Sequence, residues 1–161
     1  EIFAFEPDAR NFRKLSAFAA EHSNTVMHLY NAAAWDKNEP IPFYPRSGRG
    51  CGKTTVHADA KAETVNGICL DDVLPHADYI KIDAEGSDRE VLCGAKRLIG
   101  ENKAVICVAA YHRTEDYFVL PETLLSFCGE YDVYFRHFPY IPCWDTSFYF
   151  VPKQKSKEET R

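Results

Sequence analysis

The 161 residues amount to one domain, 45% hydrophobic and 14% aromatic, enough to build a buried core. A formal net charge of −5 argues against a dedicated nucleic-acid binder, which carries a basic face, and no apolar run reaches the ~20 residues that span a bilayer. Nothing at the start has the pattern of a secretory signal. The six cysteines, at 51, 69, 93, 107, 128 and 143, all stand singly, which predicts reduced thiols in a cytoplasmic protein and no zinc site.

The chain opens, without a Met, on the apolar run Ile2–Phe5, expected as a buried parallel strand and as the start of a piece of something longer. Asp8 should cap a helix with Phe12, Leu15, Phe18 and Ala19 on one face. A second strand is expected over Val26–Tyr30. Prolines 40, 42 and 45 and a glycine cluster exclude a long helix from 36 to 67, leaving short extended pieces at Ile41–Tyr44 and Glu63–Gly67 around a loop. Ile68–Leu74 reads as a helical turn stopped by Pro75. Tyr79–Asp83 is the next strand. Ser87 and Glu90 have capping-box spacing before a helix with Val91, Leu92, Ala95, Leu98 and Ile99 on one face and Gly100 as its stop. Ala104–Ala110 is another strand. Pro121 suits the first turn of a helix carrying Leu124, Leu125 and Cys128 and closed by Gly129. Tyr131–Phe135 and Ser147–Val151 are the last strands, and 153–161 is a charged tail expected to be disordered.

Strands alternating with capped helices predict a doubly wound α/β domain over residues 1–152, whose ligands bind beyond the carboxyl ends of the strands. That rule selects Glu6, Asn31, Asp83 to Gly86, and Tyr111-His112.

The stretch SGRGCGKTT, residues 47–55, imitates a phosphate-binding loop but fails its test. The motif needs Gly five residues before Gly52, where Ser47 stands, and it needs a strand before it and an apolar helix after it. The stretch is read as a loop able to cover a substrate.

Glu6 ends the first strand, a position where an acid receives the ribose hydroxyls of an adenosine cofactor; a carboxylate favoured by the helix dipole is the alternative. Asp83 closes a buried strand just ahead of a helix amino terminus, with Glu85 two residues on. Lys81, between Ile80 and Ile82, must point to the opposite face or pair with a carboxylate. His112 should share their rim, with Asp116 four residues on as its orienting group; a loop histidine satisfied by backbone is the bland reading. His137 is a weaker candidate, and Tyr111 and Trp144 read as rim packing.

FAFEP, LDDVL, YIKIDAEGSDREVLCGA, AYH and YFRHF, in that order, resemble the FkbM family of S-adenosylmethionine-dependent methyltransferases from about residue 1 to 151. The KIDAEG…EVL.GA block is the most specific part. Ala84 stands where the family more often has Val, and Ser87-Asp88 where Ala-Glu is usual. The resemblance implies a Rossmann-like class I methyltransferase sheet with helices on both faces, whose first strand and glycine-rich cofactor loop lie off this chain. The strands bearing Glu6 and Asp83 would then lose their shared neighbour, so the chain alone is expected to be marginal and poor at holding the cofactor.

The activity implied is O-methylation of a hydroxyl on a sugar or small metabolite with S-adenosylmethionine. Glu6 would hold the cofactor ribose, Asn31 and Ala32 would lie near the adenine, and Asp83, Glu85 and His112 would line the methyl-transfer site. Transfer from a sulfonium is an in-line displacement in which positioning dominates, helped by a general base, Asp83 first and His112 second. The acceptor would be set by the 36–67 and 137–146 segments. A NAD-dependent oxidoreductase, since Glu6 suits either cofactor, and a non-catalytic remnant of the fold remain as alternatives. A divalent metal at Asp83, Glu85 and His112 is left open.

Overall fold

The computed structural model describes residues 1–45, 62–139 and 145–153. The glycine-rich stretch at 47–55, Trp144 and residues 154–161 of the charged tail lie outside the described residues. The chain forms two compact units, one of Glu1–Pro75 with Ala84–Ala95 and the other of His76–Asp83 with everything from Lys96 onward.

In the first unit, β1 (Ile2–Phe5) and β2 (Met27–Tyr30) pair in parallel, with Phe3 opposite His28 and Phe5 opposite Tyr30. The period of two puts these four rings on one face, where they stack as pairs at 4.4 and 4.7 Å. Helix α1 (Ala9–Glu21) joins the strands. Asp8 caps it as expected, its carboxylate accepting from the amides of Arg10 and Asn11. Phe12, Leu15 and Ala19 are half-buried, while Phe18 is exposed and stacks on His22.

A second sheet has the order β3-β5-β4, with β3 (Ala33–Trp35) parallel and β4 (Pro40–Phe43) antiparallel to β5 (Glu63–Cys69). The extended pieces expected beside the loop are thus β4 and β5. β5 runs on through Cys69, because Ile68 and Cys69 pair with Ala34 and Trp35. The helix α2 therefore covers only Leu70–Val73.

The expected capping box does not form. Ser87 makes no capping hydrogen bond; the buried Asp88 carboxylate instead accepts from the amides of Ala84 and Gly86 at 2.9 and 3.1 Å. Nor does the following helix run unbroken to Gly100. Helix α3 (Asp88–Cys93) stops at Gly94, where an added Cβ would stand 1.9 Å from the Trp35 carbonyl oxygen. The Gly94 carbonyl accepts from the Asp71 amide and the Cys69 thiol, so this glycine locks α3 to β3 and β5.

In the second unit the sheet order is β6-β7-β9-β8. β6 (Tyr79–Ile82) and β7 (Val105–Ala109) are parallel, and β9 (Thr146–Pro152) runs antiparallel to both β7 and β8 (Tyr131–His137). A π-helical turn at Leu98–Asn102 runs through Gly100 and ends at Lys103, which takes the left-handed φ of 54°. Helix α4 starts at Asp116 and extends to Phe127, so Pro121 sits inside it rather than in its first turn. The start moves upstream because Asp116 accepts from the Arg113 amide while Phe118 and Val119 donate to the Glu115 carbonyl. Leu98, Ile99, Ile106, Val108, Leu120, Leu124 and Phe150 are fully buried here, each worth ~1.5–3 kcal/mol relative to exposure. The Tyr131 hydroxyl donates to the Ile99 and Ala104 carbonyls, and burial pushes its pKa up to about 12.

Candidate active site

The second unit gathers chemistry at the carboxyl ends of β6 and β7. Asp83 follows the last residue of β6, and Tyr111 and His112 follow β7 by two and three residues. Parallel pairing with Ile82 opposite Val108 brings the two strand ends level. The Tyr111 hydroxyl donates to Asp83 Oδ1 at 3.1 Å and reaches Oδ2 at 3.4 Å. His112 Nε2 stands 3.4 Å from Oδ1 with its side chain 4% exposed, against 40% for Asp83. Lys81 Nζ lies 3.5 Å from Oδ2, the carboxylate pairing that was one of the two outcomes expected for it. The Tyr111 and His112 rings pack at 4.3 Å.

Asp83 thus accepts from a phenol and an ammonium, with the buried imidazole nitrogen of His112 standing 3.4 Å away. Beside it is a cavity of about 310 Å3, lined among others by Lys81, Tyr111, Asp145, Ser147 and Tyr149. Its floor is the polar face of the sheet, because Lys81, Cys107 and Tyr149 lie in one row across β6, β7 and β9. The Cys107 thiol is buried, and its hydrogen bond raises the Tyr149 phenol.

In the first unit, the ends of β1 and β2 are tied by backbone contacts. Asn31 Nδ2 donates to the carbonyls of Glu6 and Pro7 at 2.8 and 3.2 Å, and Glu6 Oε1 accepts from the Asp8 amide at 2.8 Å. Burial raises the Glu6 pKa, partly offset by that amide. A half-buried carboxylate with one oxygen on a backbone amide and the other turned to no hydrogen-bond donor among the described residues fits a vicinal diol. Ala32 is buried beside Asn31 and offers backbone and a small apolar surface.

Glu85 sits on the turn between β6 and α3. Its φ is 53° and that of Gly86 is 94°, two left-handed residues in succession, and Asp88 grips the turn on either side. For a non-glycine residue this conformation costs ~1–2 kcal/mol, and such strain concentrates at functional sites.

Asp83 and His112 are therefore brought together as expected. Asp116 accepts from the Arg113 amide at the start of α4, and the Asp83 carboxylate stands 3.4 Å from His112. His137 pairs across the strands with the Thr146 hydroxyl at 2.9 Å. The sequence reading assigned Tyr111 to rim packing and passed over Asp88. Tyr111 lies at the strand end the sequence selects, but its bond to Asp83 had no signal there, and Asp88 had none either. Among the described residues no three His, Cys, Asp or Glu side chains are grouped to hold a metal ion, and no helix is long and apolar enough to cross a membrane.

The model of the methyltransferase FkbM domain matches residues 1–142. The chain superposes on the crystal structure of methyltransferase FkbM from Methylobacillus flagellatus KT with a TM-score of 0.75 and 27% identity, over 94% of this chain and 36% of that one. No curated protein matched. The structural likeness gives the fold as Rossmann-like α/β, and the family match spans most of the sequence. The chain belongs to the FkbM methyltransferase family.

Proposed function

We propose that this chain carries the methyl-transfer site of an S-adenosylmethionine-dependent enzyme that methylates a hydroxyl on a sugar or small metabolite. The observation that carries the reading is the Asp83 carboxylate, bonded by Tyr111 and 3.4 Å from His112 Nε2, at the ends of two parallel strands beside the cavity. Bound S-adenosylmethionine supplies an electrophilic methyl group. Glu6 would take its ribose hydroxyls, with Asn31 and Ala32 beside the adenine.

Asp83 accepts the proton of the attacking hydroxyl as general base. His112 Nε2, 3.4 Å away, receives that proton in turn, an imidazole being the better proton store near neutral pH. Tyr111 and Lys81 fix the carboxylate's position. Most of the rate comes from holding the acceptor oxygen in line, which is the work of the cavity wall. Phenols, carboxylates and an ammonium around ~310 Å3 suit a small polyhydroxylated acceptor.

The test is methyl transfer from radiolabelled S-adenosylmethionine to a panel of sugars and hydroxylated metabolites. With an accepted substrate, Asp83→Asn is expected to lower kcat by ~100-fold or more while leaving cofactor binding intact. Equal turnover by the variant would overturn the assignment of Asp83.

A further inference from the structure

β8 is the outermost strand of its sheet, and among the described residues only β9 pairs with it. Six of its seven residues are exposed, including Val133, Tyr134 and Phe135, the last at 46%. Edge strands are normally blunted with Pro, a bulge or like charges, above all Lys. Tyr131–His137 has no Pro, Lys or bulge, its two charges are of opposite sign, and its register against β9 is unbroken.

We propose that this edge pairs with the same edge of a second copy of the chain, antiparallel about Tyr134, joining two four-stranded sheets into one of eight. Backbone parity leaves the right groups free. The Lys153 amide donates to the Glu130 carbonyl, continuing the register of β8 on β9, so even-numbered residues turn their backbone groups toward β9. Tyr131, Val133, Phe135 and His137 then point theirs outward. The Arg136 guanidinium donating to the Phe135 carbonyl at 3.0 Å agrees with an outward-facing oxygen. Antiparallel pairing about Tyr134 sets Val133 opposite Phe135 and Tyr131 opposite His137, all outward-facing, so the ladder closes.

The side chains of the strand also complement themselves. In YDVYFRH the same register sets Asp132 opposite Arg136 twice over, one ion pair on each side of the axis. Val133 and Phe135 meet on the face that carries Phe148, which Phe135 already touches at 4.9 Å. Tyr134 meets Tyr134 at the centre, in a non-hydrogen-bonded pair where side chains approach most closely. A strand that is its own complement is what a two-fold, isologous contact requires. On pairing, the Phe135 carbonyl passes to a Val133 amide of the second copy, which releases Arg136 from that oxygen and from the Tyr134 ring, 5.4 Å away, to meet Asp132.

The test is sedimentation velocity of the purified protein over a concentration series. Wild type is expected to dimerise. Asp132→Arg and Arg136→Asp each put like charges in both symmetric positions and should weaken the dimer at least about tenfold. The double variant restores opposite charges and should recover wild-type affinity. Val133→Pro removes an outward amide that β9 does not use, so it should break the dimer while circular dichroism and the melting curve stay those of a folded chain. A wild type monomeric up to ~100 µM would overturn the proposal, on the usual scale of association constants. So would a dimer that folded single variants and Val133→Pro leave intact, or folded single variants that dissociate without rescue in the double.

Discussion

The two strand-end rims differ in what their polar side chains bind. At β1 and β2 they serve the backbone: Asp8 caps α1, Asn31 binds the Glu6 and Pro7 carbonyls, and Glu6 holds the Asp8 amide. At β6 and β7 they bind one another, with Asp83 collecting Tyr111, His112 and Lys81. The first arrangement fixes the shape of a loop and suits holding a ligand still. The second fixes the direction of a carboxylate and suits moving a proton. Substitutions at the first rim should therefore act on stability and ligand affinity, and those at the second on turnover.

Tyr111→Phe tests this contrast most strongly. The phenol donates to Asp83, so its loss should cut kcat by about tenfold while Tm falls far less than turnover. A large loss of Tm with normal turnover would make Tyr111 a packing residue. Asp8→Ala should show the reverse pattern. It removes a cap that accepts two amides, costing ~1 kcal/mol of stability, which thermal denaturation would register as a Tm drop of a few degrees.

Glu6→Gln should give the smallest and most informative effect. Burial raises the Glu6 pKa in the folded chain, so its stabilising contribution is present below the unfolded value, near 4.5, and is lost as pH rises through the folded value. Gln carries no charge to desolvate and can still accept the Asp8 amide. The variant should match wild type at pH ~4 and melt ~1 °C higher at pH ~7, a difference kept small by solvent screening. A variant less stable at neutral pH would show that the Glu6 charge is favourable in place.

Much of the second rim was legible because it needs only strand ends. YIKID and AVICVAAYH are apolar runs that stop at polar residues, and parallel strands deliver those residues to one edge, so Asp83 and His112 could be expected together. The Asp8 cap was equally legible, being local. What escaped depends on contacts remote in sequence. The break at Gly94 is set by the Trp35 carbonyl, and β3 is three residues long and defined by its pairing with β5. The capping box failed because Asp88, one residue past Ser87, is better placed to take the amides of the turn behind it.

The most direct test of the account is calorimetric titration of S-adenosylmethionine into the protein and into its Glu6→Ala variant. Run in the protein extended upstream of Glu1 by ~40 residues of its own gene, the titration should give micromolar binding, weakened at least about tenfold by the substitution. Equal binding by the extended protein and its Glu6→Ala variant would contradict the assignment of the β1 rim to the cofactor.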